Sequence, residues 1–478
     1  MAGDPGRSKT MTGPAMTRGK WIGLAVASAL FVVPWVVQLP GLSVEGHRVF
    51  AIFLAAVVLW ITEAVPLHAT ATIIILLEIL LVSDKGILPP PEGFTPPSYR
   101  IFFGTLAAPV LMLFLGGFFL AHGAAKFDLD RNLARVLLRP FGTSSRMILL
   151  GLIGITAVFS MFMSNTATTA TMMAVVLPII SRLPPGDRMR TGLAISIPIA
   201  ANVGGMGTPI GTPPNAIAIG ALSQAGINLG FLQWMLMAVP FVLIILGVVW
   251  FLVGWLYGFG GKTIVLSIDS TFNTTRQAKI FYVIFAGTIL LWMTEKLHGM
   301  SSSIVGFIPV VVLLSTRVFS SKDLQSIQWH VLWLVAGGIA LGVGVGKTGL
   351  DGWLLGLIQW DEMTPVAILA SLSVVALVLS TVISNSATAN LIVPLALTLS
   401  MSEGITISPI VAAVFVAIGA SLAMALPIST PPNAVAMSTG AVRTKDMAMV
   451  GALVGAFGLA VCLLLGQWFW SVLGVLTP

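Results

Sequence analysis

The chain is short of charge. Only 9% of its 478 residues are Asp, Glu, Lys or Arg, against about a quarter in a soluble domain. A water-facing surface of ordinary size cannot be built from it, and no soluble domain of any size is expected. It holds one cysteine, Cys462, which excludes an intramolecular disulfide and leaves the redox compartment open. The five histidines (His47, His68, His122, His298 and His330) are scattered. No His-Glu-x-x-His segment and no Ser/His or Asp/Asp pair falls inside an apolar stretch, which argues against an intramembrane enzyme. No Arg/Lys run is interleaved with aromatics, so the net charge of +7 does not point to nucleic acid. The segment Gly342 to Thr348 resembles a phosphate-binding loop, but Leu341 stands where its first glycine belongs and no strand precedes it.

What the chain has is apolar length. It is 57% hydrophobic, with many runs of about 20 residues, each able to cross a bilayer as a helix. The runs do not alternate as barrel strands would. The expected class is an all-α polytopic membrane protein embedded in a lipid bilayer. Helices are predicted near 21–40, 47–65, 67–83, 102–122, 233–258, 277–295, 300–318, 329–346 and 446–472. Helical hairpins are predicted near 147–182 and 364–400, and broken helices near 191–222 and 407–440.

Two polar phrases interrupt this apolar text, and each occurs twice. Ser160-Met-Phe-Met-Ser164-Asn165-Thr166 is echoed by Ser380-Thr-Val-Ile383-Ser384-Asn385-Ser386. Pro209-Ile-Gly211-Thr212-Pro213-Pro214-Asn215 is echoed by Pro427-Ile-Ser429-Thr430-Pro431-Pro432-Asn433. Trp60-Ile-Thr-Glu63 matches Trp292-Met-Thr-Glu295, and Gly116-Gly117, Lys126, Leu129, Asp130 and Leu133 match Gly337-Gly338, Lys347, Leu350, Asp351 and Leu354. Four blocks in one order describe a duplication: a tail over 1–20, a first helix over 21–44, one half over 45–260, a linker over 261–276 and a second half over 277–478.

Each half is expected to cross five times and to carry one re-entrant hairpin. Five is odd, so the halves must be inverted relative to one another, giving about 11 transmembrane helices in all. Placing the basic N-terminus in the cytoplasm leaves only Arg48, Lys85, Arg100, Lys296 and Lys347 outside among the Lys and Arg, and sends the C-terminus out. The stretch 126–139 groups Arg131, Arg135 and Arg139 on one face and is expected to lie along the cytoplasmic surface. An ordinary charged loop is the alternative.

Non-helical backbone at membrane depth persists only where it is buried in protein or lines a cavity. Its carbonyls, with Ser, Thr and Asn side chains, offer oxygen ligands to a hard cation. The half-helix N-termini beside them favour an anion. Paired interruptions at corresponding positions mark the expected binding site of a transporter. Glu63, His68, Glu295 and His298 are ionisable residues near span ends, where a structural role is the stronger expectation and proton coupling the alternative.

These paired motifs, with the Trp-x-Thr-Glu and Gly-Gly blocks, resemble the divalent anion/sodium symporter (DASS) family over about residues 45 to 475. The resemblance implies an elevator-type homodimer in a bacterial inner membrane, importing a small divalent anion with sodium. A C4-dicarboxylate such as succinate, malate or fumarate is the leading expectation. A dicarboxylate or citrate exchanger, a proton-coupled carrier and a sulfate carrier are the alternatives. By motif position, one sodium site would use Ser160, Ser164, Asn165 and the backbone of Gly211. The other would use Ser380, the carbonyl of Ile383, Asn385 and the backbone of Ser429. The substrate would meet Asn165, Thr166, Asn385 and Ser386, with Thr212, Pro213, Thr430 and Pro431 lining the pocket. Two departures stand out. Ser386 occupies a position where dicarboxylate carriers of the family commonly have Thr. Ser429 stands opposite Gly211, where its side chain would add a ligand or crowd the site.

Overall fold

A computed structural model describes residues 17–259, 271–358, 360–402, 404–472 and 474. Residues 1–16 of the expected tail and 261–270 of the expected linker lie outside these residues. Helix α1 (Arg18–Val36) precedes the first half, which contains α2 (Val44–Thr62), α3 (Leu67–Val82), α4 (Tyr99–Gly104), α5 (Pro109–Lys126), α6 (Leu129–Leu138), α7 (Ser145–Phe162), α8 (Asn165–Arg182), α9 (Arg188–Gly205), α10 (Pro213–Gln224) and α11 (Phe231–Tyr257). The second contains α12 (Arg276–Met293), α13 (Glu295–His298), α14 (Ser302–Ser315), α15 (Ser321–Gln325), α16 (Trp329–Lys347), α17 (Leu350–Leu355), α18 (Pro365–Val382), α19 (Asn385–Ser400), α20 (Pro409–Ser421), α21 (Pro431–Ser438) and α22 (Thr444–Val472). Eight helices among the described residues are long and apolar enough to cross a membrane. Three shorter ones (α3, α14 and α20) are apolar too. The predicted 300–318 helix is trimmed to Ser302–Ser315, and the first helix starts three residues early, at Arg18.

The repeated sequence blocks fall on helices that follow one another in the same order. Helices α2 and α12 correspond, as do α3 and α14, α5 and α16, α6 and α17, and α7–α11 and α18–α22. The tryptophan of each Trp-x-Thr-Glu block is fully buried and closes the same turn: Trp60 Nε1 donates to Leu67 O at 3.3 Å and Trp292 Nε1 to Ser302 O at 2.9 Å. A buried indole N–H needs an acceptor, and the carbonyl of the next helix's first residue supplies it.

The halves are braided. Helix α5 packs on α14, and its counterpart α16 packs on α3. The Gly-Gly blocks make these crossings possible. A Cβ at Gly116 would run into the backbone of Gly306, and one at Gly337 into Ala71. The second glycine of each pair faces the other way, Gly117 against Ile210 and Gly338 against Asn390. The short pieces are exchanged as well: α10 packs on α19 and α20, while α21 packs on α8 and α9.

The amphipathic stretch 126–139 is not one helix. Asp128 takes a left-handed backbone (φ 50) and separates α5 from α6. That turn lets α6 lead away from α5 towards the hairpin, packing on α7 and α8.

Candidate functional site

Both Ser-Asn phrases are helix ends. Met163 and Ser164 are extended between α7 and α8, as Ile383 and Ser384 are between α18 and α19. Ser164 and Ser384 occupy N-cap positions, yet neither side chain caps its own helix. The first N–H groups of α8 and α19 are therefore left for another partner. Thr212 and Thr430 begin α10 and α21, each followed by two prolines. Proline at the first helical position has φ already set and no N–H to lose.

Around each phrase the same oxygen cluster recurs. The Ser160 hydroxyl lies 2.6 Å from Asn165 Oδ1 and 2.8 Å from the carbonyl of Ala201. The Ser380 hydroxyl lies 2.8 Å from Asn385 Oδ1 and 2.8 Å from the carbonyl of Ala420. One hydroxyl proton cannot serve two acceptors at once. Each cluster holds more lone pairs than donors, which is the donor set a sodium ion needs. Both serines are fully buried, whereas Asn165, Thr166 and Asn385 are half-exposed. Gly205 lies between Asn165 and Gly211: a Cβ there would meet the Asn165 amide, and a Cβ at Gly211 would meet the carbonyl of Gly205. Ser160, Asn165 and Gly211 are thus gathered about one knot.

The Ser429 side chain is engaged within the fold. Its hydroxyl donates to Thr381 O at 2.8 Å, tying the broken-helix loop to the hairpin. In the first half the corresponding carbonyl, Met161 O, is bonded by Thr208. Thr208 corresponds to Leu426, and Gly211 to Ser429. The tie is kept while the hydroxyl that makes it moves three residues along the loop.

Asn215 and Asn433 hold the loops' shape. Asn215 Nδ2 donates to the carbonyl of Thr208 at 2.8 Å, and Asn433 Nδ2 to those of Met424 and Leu426, both at 2.9 Å. Thr430 is fixed across the repeat, because Asn202 Nδ2 donates to Thr430 Oγ1 at 3.0 Å and to Asn433 Oδ1 at 3.1 Å. Ser421 is the counterpart of Asn202 and is too short for this clasp. Its hydroxyl and Asn215 Oδ1 are both buried without a partner. Pro431 is exposed, Pro213 is half-buried, and Thr212 and Ser386 are buried.

Sequence reasoning missed Asn202, Thr208 and Gln328. Asn202 and Thr208 were visible as polar residues in the apolar 191–222 segment. Gln328 Nε2 donates to Ser164 Oγ at 3.3 Å from a loop that carries no motif. Of the four ionisable residues near span ends, Glu63 is exposed and ends α2 in a left-handed turn (φ 46). Glu295 accepts from Phe231 N at 3.1 Å, and His298 holds its own turn through Leu291 O and Met300 N. Those roles are structural. His68 packs edge-on against His330.

A family description, the sodium:sulfate symporter transmembrane region, matches residues 18–476. The chain belongs to this family. It is the divalent anion/sodium symporter family that the motifs resemble, and its members are transporters rather than enzymes. Two relatives within the range of this symporter family are the sodium-dependent dicarboxylate transporters SdcS of Staphylococcus saprophyticus and Staphylococcus aureus (strain bovine RF122). The first is 32% identical over 485 residues, spanning 93% of this chain and 90% of the relative. The second is 31% identical over 495 residues, spanning 96% and 92%. The crystal structure of the Alcanivorax borkumensis YdaH transporter superposes with a TM-score of 0.51 at 15% identity, covering 89% of this symporter chain and 99% of that one. At that identity the likeness is one of fold.

Proposed function

We propose that the chain is a sodium-coupled secondary transporter that imports a small divalent anion, with a C4-dicarboxylate such as succinate as the substrate. The observation that carries this reading is the pair of matching oxygen clusters at Ser160–Asn165 and Ser380–Asn385, each beside a helix N-terminus with no side-chain cap. The hydrogen-bond partners of these residues are hydroxyls, amides and carbonyls; neither Arg nor Lys is among them. A dianion brought there would be prohibitively costly unless its charge were matched. Two sodium ions in the clusters supply that match. Asn165, Thr166, Asn385 and Ser386 then face the carboxylates, and Thr212, Pro213, Thr430 and Pro431 border the pocket. The names of the staphylococcal relatives support both ions of this assignment.

The finer architecture belongs to the same proposal. Eleven crossings and two re-entrant hairpins in an inverted repeat put the hairpin tips near the midplane. The N-terminus is cytoplasmic and the C-terminus outside, in a bacterial inner membrane. Two copies form a homodimer, and the hairpin-bearing part moves as an elevator against the rest. Sulfate is the second reading, favoured by the smaller Ser386 and by the family's description.

The test is uptake of labelled succinate into proteoliposomes under an inward sodium gradient, with an equal potassium gradient as control. Sodium-dependent uptake that is abolished in Asn165→Ala and in Asn385→Ala is the expected result. Uptake that ignores sodium but needs internal dicarboxylate would make the protein an exchanger. Displacement of the label by sulfate and not by malate would move the substrate to sulfate.

A further inference from the structure

Each surface helix, α6 and α17, stands over an apolar cavity against the first arm of its own hairpin. The cavity beneath α6 has a volume of about 170 Å³ and is bordered by Leu133, Leu137, Val158, Phe162, Phe285 and Ile289. The one beneath α17 has a volume of about 350 Å³ and is bordered by Leu354, Ile358, Leu372 and Ile392. Leu133 and Leu137 correspond to Leu354 and Ile358, but the hairpin walls differ: Val158 and Phe162 line the first space, and Ser371, Leu372 and Val375 the second. Leu137 and Val158 are 40% and 49% exposed, so the cavity beneath α6 reaches the molecular surface.

The charge around the two cavities is not repeated. Helix α6 carries Arg131 and Arg135 and is followed by Arg139, all on one face at i, i+4 spacing, and Arg131 and Arg139 are exposed. Helix α17 has no Lys or Arg. Asp130 also borders the cavity beneath α6. Its carboxylate is already engaged, accepting from Thr171 Oγ1 at 2.6 Å and from Arg131 N at 2.8 Å. The acids sit at the start of the helix (Asp128 and Asp130) and the arginines run to its end, as the helix dipole favours.

An apolar slot under one face of α6, with exposed Arg131 and Arg139 on the helix's other, outward face, matches one amphiphile. We propose that the cavity beneath α6 binds an anionic phospholipid, with an acyl chain against Leu133, Leu137 and Phe285 and the phosphate on Arg131 and Arg139. The cavity beneath α17, which has the apolar slot without the arginines, takes an acyl chain with no preference for headgroup charge. The inner leaflet is where anionic lipids meet basic helices, and α6 lies on the side where most of the chain's Lys and Arg are expected. The consequence is local. Helix α6 joins α5 to the hairpin, so a lipid seated there braces the junction between the two parts of the molecule.

The test is native mass spectrometry of the delipidated full-length protein, titrated separately with phosphatidylglycerol and with phosphatidylcholine of the same chains. The first phosphatidylglycerol is expected to bind about tenfold more tightly than phosphatidylcholine, as two basic contacts at a membrane surface allow. Arg131→Gln/Arg139→Gln should remove that preference and leave phosphatidylcholine binding unchanged, which also shows that the variant is folded. Leu137→Trp, which fills the slot, should weaken the first phosphatidylglycerol. Equal binding of the two lipids by the unaltered protein, or a preference that survives the double substitution, would overturn the proposal. The readout is binding in detergent, so it stands or falls apart from the transport reaction.

Discussion

The residue that separates the two halves most clearly is Ser429. Read as a motif position it stands where the first half has Gly211, so that its side chain adds a ligand or crowds the site; in the fold its hydroxyl makes the tie that Thr208 makes in the first half. A hydroxyl bonded to a buried carbonyl contributes about 1 kcal/mol net, or roughly fivefold in an equilibrium constant. Ser429→Gly is therefore expected to raise the sodium concentration for half-maximal uptake about fivefold, because the loop loses its tie to Thr381 O. Leu426→Thr added to Ser429→Gly copies the first half's arrangement and should restore the value. If the double variant is no better than the single one, Ser429 acts on the ion itself. Sequence alone could not make this distinction. The exchange of a hydroxyl between positions three apart is visible only when the loop's curvature brings both positions to one carbonyl.

At the scale of elements, the sequence was most legible where geometry is dictated locally. Thr-Pro-Pro-Asn starts a helix in both of its copies, whereas Thr95-Pro96-Pro97, which lacks the asparagine, starts none. A run of apolar residues at membrane length reads as a helix, and the predicted spans match the observed ones to within a few residues, except that 102–122 is broken at Ala108 between α4 and α5. What could not be read was pairing between elements. Nothing in the residues 109–126 says that Gly116 meets Gly306 rather than another glycine, and the braiding of the halves depends on such encounters. The cluster that fastens α5 to α15 is another case. Asp323 accepts from Lys126 Nζ at 2.8 Å, from the N–H and hydroxyl of Ser320, both at 2.7 Å, and from His122 Nε2 at 3.0 Å. Burial pushes its carboxyl up, but these donors outweigh burial and hold it well below the ordinary carboxylate value of 3.8. A depressed carboxyl stabilises the fold at pH values above its unfolded value and loses that contribution as pH falls below it. Asp323→Asn should lower the thermal midpoint at neutral pH. The deficit should stay level down to about the ordinary carboxylate range and shrink below it. Thermal unfolding in detergent across that range checks this, and a deficit independent of pH would mean that packing, not charge, fastens the two helices.

For the whole molecule the question is how two buried serines and two half-exposed asparagines make one coupled machine. Ser160 and Ser380 are inaccessible to solvent, and their hydroxyls point at Asn165 and Asn385. Neither can touch an anion in the pocket. If they act, they act through sodium. Ser386 lies in the turn after Asn385 with its hydroxyl tied to no described neighbour, as a substrate contact requires. Linkage separates the two roles. Sodium and dianion must raise one another's affinity by the same factor if their binding is coupled. A variant that damages only a sodium site weakens the dianion at low sodium, yet regains full affinity once sodium saturates the damaged site. A variant that damages the anion contact stays weak at any sodium concentration. Succinate binding to purified protein, measured across a sodium titration, should therefore show Ser160→Ala and Ser380→Ala displaced along the sodium axis by about tenfold, taking the loss of one oxygen ligand to cost about as much as one hydrogen bond to a charged group. Both should converge on the unaltered protein at high sodium. Ser386→Ala should instead reach a lower plateau of affinity. Were the two serine variants to plateau low as well, the clusters would be part of the anion site and the charge of the dianion would have to be met by something other than sodium. Were only one of them to shift, the repeat would be symmetric in structure but not in the ions it carries, and the unclasped pair Ser421 and Asn215 would be the first place to look for the reason.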